Sequence, residues 1–472
     1  MSQKKTSLKP KNNQARNYLF IAAILSLFSL QEAAMAAKPH ERAFRKEDSA
    51  TGMLFSSQNL NKDIKDFFLY GDYVYSNNIQ SILFYKKGWD MAPPHIRFES
   101  DERLVLRFDD LDADYKDFYY TIIHCDAYWT PTNLQPFEYI DGFNEDMIRD
   151  YSRSINTVVP YTQYFMEFPS FNLRPRISGN YILKVYLNGN PDDVVFTRRF
   201  MVYEQQVAVE GDVRQATLVM YRDTHQQLSF SISTLNYYIS NPGQDMKLVI
   251  TQNGRWDNAI IGIQPRMIQG NRFIYDHEQE LLFEAGNEFR HFDIRSLRFL
   301  SERLGEISSS PRHWEVFLLN DPVRRNRRYT SEGDLNGKFN IENVDYQDDM
   351  LESDYAWVYF SLPMNAPVDN ASVHVMGALT NWNLTRDNEM VYNSRQRKYE
   401  TSLFLKQGYY NYQYAVLEDG SSKARMDDTE GNYSEAENDY SIFVYHKQPG
   451  TLYDRLISIR HMNSGARQIN RH

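Results

Sequence analysis

Residues 108–141, FDDLDADYKDFYYTIIHCDAYWTPTNLQPFEYID, gather acids, aromatics and the one cysteine of the chain into a single segment. Its two halves carry the period of a strand. Residues 103–108 alternate Leu104, Leu106 and Phe108 with Arg103 and Arg107, and residues 118–124 alternate Phe118, Tyr120 and Ile122 with Tyr119, Thr121 and Ile123. An acidic turn lies between them and is expected to close a hairpin. After the second strand, Pro131 and Pro136 stiffen a polar loop that holds Trp129, Phe137 and Tyr139, since proline lacks a backbone donor and cannot continue a central strand. Period-two patterning on both sides of a turn points to an all-β chain.

Three chemistries are open to this stretch. Asp110, Asp112 and Asp114 have the alternate spacing with which a loop offers oxygens to a hard cation, but a helix–loop–helix calcium site wants glycine at Tyr115 and a carboxylate at Thr121. A solvated acidic turn is expected instead, with no metal. His124 and Cys125 are strand neighbours and point to opposite faces, so they are expected as packed residues and not as a nucleophile–base pair. Asp109, Asp126, Glu138 and Asp141 could be nominated as a glycosidase pair, but sequence does not give their separation. With no GxSxG or HExxH pattern either, no enzymatic activity and no cofactor are expected.

Outward from this core the same grammar repeats. The 34 Tyr and 28 Phe suit pleated, half-buried surfaces, and no long stretch has capped helical periodicity. We expect tandem immunoglobulin-like β-sandwich domains. The first spans residues 62–204 and closes with a hairpin turned at Asn188 and Gly189; Ser178-Gly179-Asn180-Tyr181 resembles the corner at which a tyrosine hydroxyl bonds back to the backbone. The second spans 205–322, with a turn at Asn253-Gly254. Residues 323–354 read as a polar linker whose Arg324, Arg325, Arg327 and Arg328 form a solvated turn, a clamp for an acidic partner or an anionic lipid headgroup being the alternative. A third sandwich spans 355–446, placing Tyr410, Tyr412, Tyr414 and Val416 on one face, and 447–472 is a polar tail.

Residues 1–36 read as an export signal: Lys4, Lys5, Lys9, Lys11 and Arg16 precede an apolar run over 18–30, and Ala34-Met35-Ala36 is a small-x-small cleavage site. A short extension, 37–61, follows. The apolar run is shorter than the roughly 20 residues a membrane span needs, so the mature chain is expected to have no span. The net charge of −10 becomes more negative once five basic residues leave with the signal, which argues against nucleic acid as a partner. One cysteine allows no internal disulfide.

Two resemblances add to this reading. Val373-His374-Val375-Met376-Gly377-Ala378-Leu379-Thr380-Asn381-Trp382 followed by Gln407-Gly408-Tyr409-Tyr410-Asn411-Tyr412-Gln413-Tyr414 is similar to the early-set sandwich of glycogen-binding modules, in which a tryptophan at the position of Trp382 stacks on sugar. Gln413 replaces the lysine of that motif, and its second tryptophan falls near Ser421 or Ser422. Glycan contact by Trp382 is therefore the alternative reading, as a periplasmic glycan-binding protein.

The longer resemblance runs through Asp109-Asp110-Leu111-Asp112, Tyr119-Tyr120-Thr121-Ile122-Ile123-His124-Cys125-Asp126, Pro136-Phe137-Glu138-Tyr139, Asp141-Gly142-Phe143-Asn144-Glu145, Val159-Pro160-Tyr161-Thr162, Ser178-Gly179-Asn180-Tyr181 and Arg198-Arg199-Phe200-Met201-Val202. It continues through Gly286-Asn287-Glu288-Phe289-Arg290-His291-Phe292-Asp293 and Gly333-Asp334-Leu335-Asn336-Gly337. Together these resemble the type IX secretion system plug protein family. The resemblance implies a non-enzymatic periplasmic protein, monomeric within its complex, that closes the periplasmic opening of the outer-membrane β-barrel translocon from the inner side of the outer membrane. Trp129, Phe137 and Tyr139 are the expected partner-binding residues, because loops on rigid sandwiches commonly carry binding.

Overall fold

The two strands read at the centre of the sequence form as Leu104–Asp110 and Phe118–Cys125, but in two different sheets that face each other. The acidic turn is thus an arch over the end of a sandwich and not a hairpin. Its acids hold the arch: Lys116 Nζ lies 2.8 Å from Asp110, which is fully buried, and also pairs with Asp112. Side chains from the two strands meet across the core, with the Phe108 and Phe118 rings edge to face at 5.0 Å. This protein is described from a computed structural model, covering residues 68–465. The expected signal 1–36, the extension 37–61 and the end of the tail lie outside the described residues.

The chain is all-β, and its described residues form three sandwich cores. In the first, the sheet ordered Ile79–Lys86, Leu104–Asp110, Thr162–Phe168, Asp150–Arg153 packs on a sheet centred on Val194–Tyr203, Gly179–Leu187 and Phe118–Cys125. Tyr181 O–H donates to Ile177 O at 2.7 Å, the backbone-locking corner expected from the sequence. In the second core, Ala208–Gln215 and His225–Ser233 with their neighbours face Arg255–Ile261, Met246–Gln252, Asp439–His446 and Arg455–Asn463. The third core lies inside one nine-stranded sheet folded over on itself, from Arg290–Asp293 through Gly408–Glu418 to Leu304–Ser309.

Sheet membership departs from the boundaries at 322, 355 and 446. Strands Arg290–Asp293 and Trp314–Leu318 belong to the third sheet, whereas Asp439–His446 and the tail strand Arg455–Asn463 complete the second sandwich. Alternation marks a strand and its buried face but not its partner. Trp314–Leu318 pairs in parallel with Tyr355–Pro363. Parallel neighbours need a long crossover, and residues 323–354 are that crossover.

Candidate docking surface

Asp126 Oδ1 accepts the Tyr128 and Thr130 N–H groups, each at 2.9 Å, and this turn sets Trp129 at φ 67°. The Trp129 indole points inward. It is 6% exposed, meets Trp256 edge to face at 5.2 Å and lies under the Arg199 guanidinium at 4.7 Å, in the apolar cluster that joins the first sandwich to the second. Tyr139 is equally buried, within the first core beside His124 and Tyr181. Neither can meet a partner as the protein stands, which corrects the expectation for both. Each is large and apolar enough to be more stable in a joint or core than in water.

Phe137 alone of the three is exposed, at 68%, and two phenylalanines that the sequence reading passed over join it: Phe143, also 68%, and Phe171, at 90%. All three flank one two-stranded ribbon, Ile140–Gly142 paired with Leu173–Pro175: Phe137 in the helical turn Pro136–Tyr139 that leads into it, Phe143 and Phe171 at its other end. Phe143 N–H donates to Asn172 O at 2.7 Å, so Phe143 and Phe171 flank the same backbone contact. The ribbon is pinned. Gly142 has φ 108°, and a Cβ there would fall 2.1 Å from Asn172 O, so glycine is required. At the other end Arg176 donates to Phe137 O at 2.8 Å, and Gln135 N–H donates to Glu138 at 2.6 Å beside Pro136. Asp146 anchors the Phe171 loop, accepting from Ser170 Oγ at 3.2 Å and Asn172 Nδ2 at 3.3 Å. Burial works against ionising Asp146, but the Met147 N–H and Arg149 outweigh it and hold the carboxyl below its usual range. The legible signal for Phe143 and Phe171 is an aromatic flanked by Gly, Ser or Asn, outside any alternating run.

The remaining candidates are committed to structure. Cys125 is buried, and burial pushes its thiol up to about 12. Burial lowers His124 to about 4; its ring nitrogens meet Thr132 Oγ1 at 3.1 Å and Ser178 O at 3.4 Å, not the thiol. Asp109 accepts from Lys406 Nζ at 2.6 Å and Tyr355 O–H at 2.7 Å, both from the third sandwich, and from Gln163 Nε2 at 3.1 Å. This fully buried cluster welds the first sandwich to the third. Trp382 is half-buried at φ 59°, edge to face with Phe289 at 5.9 Å and seated over Gly337, where a Cβ would fall 2.3 Å from the indole. Arg324 leaves the expected solvated turn: it donates to the fully buried Glu430 at 2.7 Å, beside Arg290 at 2.9 Å. No helix among the described residues is long and apolar enough to cross a membrane.

The welded sandwiches thus carry an exposed set of phenylalanines, Phe137, Phe143 and Phe171, flanking a pinned ribbon. Residues 79–204, which include the ribbon, match the type 9 secretion system plug protein 1st domain. The crystal structure of a hypothetical protein from Parabacteroides merdae ATCC 43184 is similar over 84% of this chain and 100% of that one, at 34% identity and TM-score 0.82. No curated protein matches. The chain belongs to the type IX secretion system plug protein family. Membership associates it with type IX secretion and with the cell envelope.

Proposed function

We propose that the protein is a non-enzymatic periplasmic plug that closes the periplasmic opening of the outer-membrane β-barrel translocon of the type IX secretion system. The observation that carries this reading is that the family's first domain, residues 79–204, contains all three ribbon phenylalanines. Obstruction is steric. Buried polar and aromatic joints tie three sandwiches into one stiff body, so the plug blocks the opening without any segment having to order first. Aromatic anchors hold it there, and their number, three rather than a broad apolar face, keeps the attachment reversible. Displacement requires that the barrel bind the plug more tightly in its resting state than in its cargo-bound state, because a partner with equal affinity for both shifts nothing.

The test is affinity purification of the tagged chain from gently solubilised envelopes. A very large outer-membrane β-barrel recovered at near-equal stoichiometry is expected. Recovery of the protein free of any barrel overturns the reading.

A further inference from the structure

Beside the junction of the second and third sandwiches, a cleft of about 460 Å³ opens between the 252–258 turn, residues 282–289 and the 423–432 loop, with Gln413 of the third sheet on its wall. That is the size of a small-molecule site. Its wall is rich in side-chain amides, and three of them are held at one end only. Asn258 Nδ2 donates to Gln252 Oε1 at 3.0 Å, while Asn258 Oδ1 is buried without a hydrogen-bond partner. Gln413 Nε2 donates to Asn287 O at 2.7 Å, and Asn432 Oδ1 accepts the Gly286 N–H at 2.9 Å. Among the described residues no hydrogen bond takes up Gln413 Oε1 or Asn432 Nδ2.

The bonded ends face a carbonyl, an N–H and an amide oxygen, so the chemistry of each neighbour fixes which way the amide is turned. The cleft therefore presents two set acceptors and one set donor. Of these, Asn258 Oδ1 is the one buried without a partner, and a buried polar group left unpaired is costly unless a ligand or water satisfies it. Charge does not select the ligand. Lys423 and Glu284 offset each other at 4.0 Å, Arg255 is engaged by Asp257 at 2.6 Å, and burial pushes the His225 imidazole below its usual range. Tyr221, which packs against His225 at 4.6 Å between ring centres, lines the cleft with Leu218, Ile260 and Phe283 and gives it apolar surface.

Fixed acceptors and a fixed donor, no net charge and an apolar side fit a polyhydroxylated ring, whose hydroxyls both donate and accept and whose C–H face packs on aromatics. We propose that the cleft binds a short neutral saccharide, beside Trp382, which packs on the lining residues Phe289, Ala424 and Met426 but does not itself line the cleft. The proposal is independent of the plug reading.

Methionine methyl resonances of the full chain test it directly, since Met220 and Met426 both line the cleft. Maltotriose and chitotriose are the probes. Titration with at least one of them is expected to move the Met220 and Met426 signals and leave Met147, in the first sandwich, in place. Asn258→Ala and Gln413→Ala are each expected to weaken that titration about five- to tenfold, the loss of one hydrogen bond. The proposal is overturned if neither sugar moves the two signals, if an uncharged tripeptide does so where the sugars do not, or if both variants titrate like the parent. Should a variant fail to fold, the parent titration still decides.

Discussion

Asp109 and Phe171 sit in the same sandwich and are treated in opposite ways: the carboxylate is 1% exposed and the phenyl ring 90% exposed. Hydrophobicity alone would have reversed them. The difference teaches that this protein uses buried charge to join its own sandwiches and leaves apolar rings exposed where the backbone pins them outside the core. Asp109 is buried because Lys406 and the Tyr355 hydroxyl arrive from another sheet to pair it. Phe171 is exposed because Asp146 holds the loop that carries it, while Ile140 and Leu173 of the adjoining ribbon turn into the core.

The sharpest way to break that contrast is to unpair the joint. Lys406→Ala strands Asp109 as an uncompensated buried charge and is expected to cost about 3–5 kcal/mol in chemical unfolding, whereas Asp109→Asn combined with Lys406→Met should recover most of it. Next comes the aromatic that the structure moved from surface to core. Tyr139→Ala should cost about 3 kcal/mol, read as a lowered melting temperature, and should reduce partner capture only in proportion to the protein unfolded.

A smaller effect separates two buried glutamates. Burial, reinforced by Asp334, raises Glu288 to about 7, so the folded chain binds its proton more readily than the unfolded chain, and stability should fall as pH rises from the ordinary 4.5 through 7. Glu430 runs the other way. Burial opposes its charge, but Arg290 and Arg324 outweigh it and lower it to about 2, so its contribution is present above 4.5 and lost as pH falls toward 2. Glu288→Gln should therefore flatten the decline between about pH 4.5 and 7 and gain about 1–2 kcal/mol at pH 8 in urea unfolding. The smallest stability effect belongs to the ribbon: Phe137→Ser, Phe143→Ser and Phe171→Ser together should change unfolding by less than about 0.5 kcal/mol each. Under the plug reading the same triple variant should lose most of its barrel capture; undiminished capture would move the interface elsewhere.

Much of the fold was legible because it is local. The Tyr181 corner, the left-handed Asn253-Gly254 turn and the buried face Tyr410, Tyr412, Tyr414 and Val416 all follow from residues within one or two positions of each other. The arch at 108–118 was misread as a hairpin, since two alternating runs and a short turn look alike whether the strands pair or face each other. Trp129 was misread for a related reason: its partners, Arg199 and Trp256, stand far along the chain. Arg324 looked solvated because Glu430, more than a hundred residues later, could not be placed beside it.

What the sequence by itself determined is the all-β class, the position of most strands and, through long ordered motifs, the family. Side-chain period and turn chemistry are properties of neighbouring residues, and they survive in one dimension. Only the tertiary structure decided which strands share a sheet, which charges are buried in pairs and which aromatics are left outside. Those outcomes depend on contacts between distant segments, where the cost of burying a charge or exposing a ring is set by a partner that local patterning does not name.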